Sequence, residues 1–298
     1  MRQWLRKARV TFGGQGGFIV NPGGLMDHQL RVTFNVSRSI SGSANSFSIK
    51  IYNLNESHRN SIGLELDQVM LEAGYTPPEG GGNVGIIAKG RIRDYQHDRD
   101  GADIITTVSC GDGDKAYRRA AISKTIPKGT PLPEVVEQIH QEMKKEGITR
   151  GEWSFPEKVK NTKLKRPYSM CGSCTRELDT LGRGHGFYWN IQNETMEVIP
   201  SDGHLPGMIL VSPETGMVGT PTITDNGIKV KALLNPDARP NRLVKVQSEV
   251  LRMNRKGDTY RISQLDFSGD NQQGDFIMNI HGEAVGADKK VNEGKKAK

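Results

Sequence analysis

The side chains best suited to chemistry fall in the stretch Ser169–Trp189, where Cys171 and Cys174 form a C-x-x-C pair eleven residues ahead of His185. A dithiol redox centre would need a lowered thiolate at an exposed helix N-terminus, normally behind a strand. The residues before the pair, KLKRPYSM, are basic and broken by proline rather than an apolar strand. Cys174 also shares a helical stripe with Met170, Leu178 and Leu181, which would bury it among apolar neighbours and leave it inert. Zinc would need about four ligands. Cys171, Cys174, His185 and His204 supply suitable atoms, but there is no second C-x-x-C and no H-x-x-x-H to set their spacing. Read this way the two cysteines are small residues on a buried helix.

Other constellations are weaker. Asp112 and Asp114 in CGDGDKAYRR open like a calcium loop, but Ala116 and Arg118 stand where further oxygen ligands are needed, so the segment reads as a polar turn. Lys89, Arg91 and Arg93 beside Tyr95 could meet phosphate. In a strand, however, that alternation puts Arg91 and Arg93 on the solvated face. No H-E-x-x-H, G-x-S-x-G or P-loop occurs, and FGGQGGF lacks both a GK[ST] and a preceding strand. No catalytic, cofactor-binding or metal residue is assigned, and no cofactor is expected.

The elements that would position these groups follow from periodicity. Val32, Phe34 and Val36, then Phe47, Ile49 and Ile51, alternate with polar residues as paired strands, and NLNESHRNSIG reads as a short capped turn or helix. Val69, Leu71, Ala73 and Tyr75 form a third alternating set, PPEGGGN a loop, and IIAKGRIRDYQ and DIITTVS two strands joined at Asp100-Gly101. Leu132, Val135, Val136, Ile139 and Met143 recur at helical spacing, with Thr130 as N-cap, Pro131 at the first position and Gly147 past the end. A second helix is expected near 169–181, capped by Ser169 and ended by Gly182, then a hairpin over 187–199 carrying Phe187, Trp189 and Ile191. Strand patterns return in MILV, IKVKALL, LVKVQSEVL, TYRISQLDFSG and DFIMNIHGE.

The chain has 298 residues, enough for about two domains without metal or disulfide staples. Three cysteines, two of them three apart, are no secreted disulfide framework and point to a reducing compartment. The start lacks a signal-peptide h-region and no apolar run could span a bilayer, so a soluble chain without membrane insertion is expected. With 35 glycines and 6% aromatics, turns and modest strands are favoured over long helices. The net charge of +7 is concentrated at the ends, in Arg2, Arg6, Lys7 and Arg9 and in five lysines of ADKKVNEGKKAK. The expected fold is α+β, mainly β. It has two antiparallel β-barrel-like domains, 1–110 and 205–285, around a small α/β insert, 111–204, and a basic, disordered tail, 286–298.

The run LVSPETGMVGTPTITDNGIKVKALLNPDARPNRLVKVQSE, Leu210–Glu249, resembles a segment of the tail hub proteins of bacteriophages and related contractile particles. RVTFNVSRSISGSANSFSIKIYNLN, GDGDKAYRRAAISKTIPKGTPLPEVVEQI and SGDNQQGDFIMNIHGE resemble the same pattern, so the likeness covers most of the chain. It implies a non-enzymatic, structural virion protein. Such a protein is the central hub of a baseplate, a homotrimeric ring of two barrel-like domains per subunit. That ring adapts a sixfold tail tube to a threefold spike and encloses the channel through which DNA passes at ejection. The implied partners are the tube protein, the spike or needle and other baseplate proteins, after synthesis in the bacterial host cytoplasm. In the family's pattern Tyr168–Pro200 corresponds to a short helix and a tryptophan-bearing hairpin, and cysteines are not characteristic of it. Two other readings are a dithiol or metal-dependent enzyme using Cys171 and Cys174, and a nucleic-acid-binding β protein. The interface and channel residues stay unassigned.

Overall fold

The computed structural model describes residues 5–14, 16–22, 29–76, 82–248 and 258–284. The segment 286–298, expected as a basic disordered tail, lies outside the described residues, as does Arg2. The chain begins with strands β1 (Leu5–Phe12), β2 (Phe18–Val20), β3 (Val32–Ser39) and β4 (Ser46–Tyr52), then helix α1 (Glu56–Ser61). Strands β5 (Gln68–Thr76), β6 (Gly85–Asp100) and β7 (Asp103–Gly111) follow. Next come α2 (Asp114–Arg119), β8 (Ala121–Ile126), α3 (Leu132–Lys145), β9 (Thr149–Trp153), α4 (Glu157–Lys160), β10 (Tyr168–Ser173) and α5 (Cys174–His185). The hairpin β11 (Phe187–Ile191) and β12 (Thr195–Pro200) precedes β13 (Met208–Val211), β14 (Met217–Thr224), β15 (Gly227–Leu233), β16 (Leu243–Val246), β17 (Thr259–Asp270) and β18 (Phe276–Glu283). The protein is mainly β. No helix among the described residues is long and apolar enough to cross a membrane.

Two units divide the chain, one of 1–39, 46–111 and 206–298, the other of 40–45 and 112–205. The first holds a 13-stranded sheet ordered β14-β15-β18-β17-β3-β4-β7-β6-β5-β1-β2, with β13 and β16 attached through β17. Strands from both ends of the sequence thus share one ladder, joined where β17 pairs antiparallel with β3, Asp270 opposite Thr33 through Gln264 opposite Ser39. Among the described residues no pairing closes β2 onto β3 or β14 onto β13, so the barrel-like closure expected for each β region is not found. The inward residues are those the alternation singled out: Val32, Phe34, Val36, Phe47, Ile49 and Ile51 are all buried, and so are Val69, Leu71, Ala73 and Tyr75. Burying each of the Val, Leu, Ile and Phe side chains contributes about 1.5–3 kcal/mol. The β6–β7 turn centres on Gly101-Ala102 instead of Asp100-Gly101, because Asp100 already pairs with Asp103. Gly101 takes the positive φ of 61° that the first central position of a tight hairpin requires.

The second unit has its own core, in which Leu132, Val135, Val136, Ile139 and Met143 of α3 meet Cys174, Leu178 and Leu181 of α5 and Phe187 and Trp189 of β11. Helix α3 starts one residue later than its pattern predicts. Pro131 is the residue preceding it, and the Thr130 hydroxyl donates to the Pro127 carbonyl instead of capping the helix. The second helix is displaced further. Residues 169–173, where the helix was expected to begin, belong instead to β10, paired antiparallel with β8 from Tyr168 opposite Ile126 to Ser173 opposite Ala121. Helix α5 begins at Cys174, runs past Gly182 and ends at Gly186, whose φ of 74° makes the left-handed cap. CGDGDKAYRR, expected as a turn, contains the short helix α2.

Candidate functional site

The four candidate zinc ligands are scattered. Cys171 is exposed on β10, Cys174 is buried at the first position of α5, and His185 and His204 are both exposed. Among the described residues no three His, Cys, Asp or Glu side chains converge as a metal site. A strand does lead into the C-x-x-C helix, contrary to the reading of KLKRPYSM, yet the cysteine at the helix start is the inaccessible one. Burial pushes the Cys174 thiol up to about 11, with Glu142 adding to the effect. A thiol held protonated is a poor nucleophile and a poor metal ligand. It packs in the α3–α5 seam, where a small side chain lets the helices approach closely.

Asp112 has an internal role that spacing alone does not reveal. Its buried carboxylate accepts hydrogen bonds from the backbone N–H groups of Asn193 and Glu194, both at 2.6 Å, and from the Asn45 amide at 3.3 Å. Asn193 and Glu194 are the two residues of the β11–β12 turn, with positive φ of 55° and 58°. A carboxylate receiving two N–H groups offsets the cost of that left-handed pair. The aspartate that resembled the start of a calcium loop is a clamp on a hairpin turn. The indole N–H groups of the same unit are satisfied too, Trp189 donating to Asp179 at 2.8 Å and Trp153 to the Met196 carbonyl at 3.0 Å. On β6, Arg91 bonds Asp67 at 2.6 Å, so this member of the Lys89, Arg91, Arg93 set is committed within the sheet.

What the sequence pattern missed is a surface. Met208 and Leu210 are 60% and 44% exposed, and Val218 and Ile223 are also exposed. Among the described residues strand β13 pairs only with β16, in parallel. The Leu243 N–H donates to Gly207 and the Gln247 N–H to Val211, so Met208 and Leu210 turn their backbone groups away from β16. One of these, the Leu210 carbonyl, is met by the Thr215 hydroxyl at 3.0 Å. The edge MILV carries no charge and no proline, the devices that usually blunt an exposed strand. Strand β14, which ends the main strand order on the β15 side, differs, because Gly219 and Pro221 sit in an irregularity between Val218 and Thr222 that disrupts its edge. The signal for the open edge was an apolar strand too short to alternate.

A family model described as Baseplate hub gp41 matches residues 8–282. Among solved structures, the chain is similar to the 43 kDa tail protein of prophage MuSo2 from Shewanella oneidensis. That likeness has 9% identity and a TM-score of 0.61, over 94% of this chain and 97% of that one. A tail protein from Neisseria meningitidis MC58 is similar at 10% identity and a TM-score of 0.60, again over 94% and 97%. The E. coli c3393 protein is described as a component of the type VI secretion system with structural similarity to the T4 bacteriophage tail proteins gp27 and gp5. It is 11% identical with a TM-score of 0.56, over 89% of this chain and 77% of its own. A search of curated proteins gave no match. At these identities the structural likeness is one of fold.

Proposed function

The chain belongs to the baseplate hub gp41 family, and from that premise we propose that it is a structural, non-catalytic ring subunit at the phage tail tip. Three copies close into a ring that joins a sixfold tail tube to a threefold spike and leaves a channel for DNA. The observation that carries this reading is the hub-family match, which spans both β regions and the segment between them. The β regions 1–110 and 205–285 act as two halves of each subunit, coupled through the β3–β17 ladder, so that three subunits present six. The uncharged β13 edge with Met208 and Leu210 supports assembly, since an unprotected apolar edge is covered in a finished particle. We assign it to contact between neighbouring copies or with the tube and spike proteins that flank the ring.

Electron microscopy of the purified chain at rising concentration tests the reading. Rings with threefold symmetry and a central hole are expected. Open filaments or compact single subunits throughout would overturn it, because a contact that does not close gives filaments.

A further inference from the structure

The second unit carries a basic surface that the functional reading leaves unused. Lys158 and Lys160 on α4 are followed by Lys163, Lys165 and Arg166, and all five are exposed. A second segment joins them. Gly129 donates to the Leu164 carbonyl at 2.9 Å, Leu132 to that of Thr162 at 2.9 Å, and Leu164 to that of Thr130 at 2.9 Å, which brings exposed Lys128 alongside the run. Leu164 packs against the core, leaving Lys163 and Lys165 on the outside. Of these cations only Lys160 is ion-paired among the described residues, with Glu157 at 2.5 Å. The other five exposed cations, none of them in an ion pair among the described residues, repel one another, a cost that an anionic partner removes.

From this patch we infer a binding site for the phosphate backbone of duplex DNA, centred on Lys128, Lys158, Lys163, Lys165 and Arg166. Residue types choose the partner. Stable protein interfaces favour Tyr, Trp and Arg and are depleted in Lys, whereas this patch is lysine-dominated. Single strands are held by stacking on exposed aromatics. The aromatic nearest in sequence, Tyr168, is partly buried and donates its hydroxyl to Glu177 at 2.8 Å. Lysines presented as hydrated point charges suit sequence-independent contact with a double-stranded backbone. The inference rests on the ring reading only for the presence of DNA; binding itself is a property of this surface.

Fluorescence anisotropy with a short mixed-sequence DNA duplex across a salt series tests it on the full chain. Log affinity should fall linearly with log salt. The variant Lys128→Gln, Lys163→Gln, Lys165→Gln should lower the slope by about 2–3, at about 0.9 per lost phosphate contact, with unchanged melting temperature. Should the triple variant unfold, Lys163→Gln alone should lower it by about 0.9. Replacing Lys289, Lys290, Lys295, Lys296 and Lys298 by Gln should leave most of the slope in place. A slope unchanged in the patch variants, or abolished by the terminal ones, would overturn the site. Tighter binding of a single strand, or equal binding of polyglutamate with the same loss in the variant, would overturn the duplex as occupant. Light scattering in the same buffers separates the two readings: a trimer that ignores DNA sinks this inference alone, and a monomer that binds it sinks only the ring.

Discussion

At the scale of single residues, the two cysteines separate cleanly by environment. Cys171 is exposed, while burial and Glu142 push the Cys174 thiol up to about 11. Iodoacetamide near pH 8 should therefore modify Cys171 quickly and Cys174 only on unfolding, which peptide mass spectrometry would report. Cys171→Ser should change stability by less than about 0.5 kcal/mol. Cys174→Ser should cost about 1–3 kcal/mol by placing a hydroxyl in an apolar seam. Equal labelling of both would mean that the seam is open. Asp112→Ala should be costlier, about 3 kcal/mol, because it leaves the turn amides of Asn193 and Glu194 unsatisfied. The inertness of Cys174 was legible from its stripe with Leu178 and Leu181. The clamp was not, since Asp112 and the turn it holds are about eighty residues apart, and local spacing is blind to such pairs.

At the scale of elements, the β3–β17 ladder that joins the two β regions ends in a stitched corner. Asp270 at the end of β17 pairs with Arg31 at 2.7 Å, and Asn271 accepts from the Val32 N–H at 2.8 Å. Burial pushes the Asp270 carboxyl up, but the Arg31 guanidinium and the amides of Gln272 and Gln273 outweigh it and hold the group below its usual range. A lowered folded value means the stabilisation is complete above the ordinary carboxylate pKa, about 4, and is lost as pH falls through the lower folded value. Asp270→Asn should therefore melt earlier than the parent at neutral pH, and the two melting curves should converge at strongly acid pH. A gap that persists there would assign the effect to shape instead of charge. Gly227 on β15 leaves no room for a side chain, since an added Cβ would lie 1.9 Å from the Gly282 carbonyl oxygen on β18. Gly227→Ala should cost about 3 kcal/mol by thermal melting. Strands with regular alternation were legible, from β3 and β4 to β17 and β18. Strands β1, β2, β8, β9, β10 and β14 were not. In β8 only Ile122 and Ile126 are buried, four apart, which mimics helical spacing. In β10, Met170 is buried by its pairing with β8, and its spacing to Cys174 imitated a helix stripe. In β14, Gly219 and Pro221 read as turn residues because they sit in a disrupted edge.

At the scale of the whole molecule, the mainly β character was legible because glycine-rich, alternating sequence cannot sustain long helices. The sharing of one ladder by both ends was not, because β3 and β17 are separated by more than two hundred residues and neither announces its partner. The open β13 edge gives the assembly claim a handle. Met208→Lys with Leu210→Lys should leave the melting temperature of the subunit within a few degrees, since both side chains are exposed, while moving assembly to higher concentration. Mass by light scattering across a concentration series, in reducing buffer with a chelator, tests the central claim most directly. The ring reading predicts a trimer that persists without metal or disulfide and weakens in the double variant. A monomer at every concentration would contradict it.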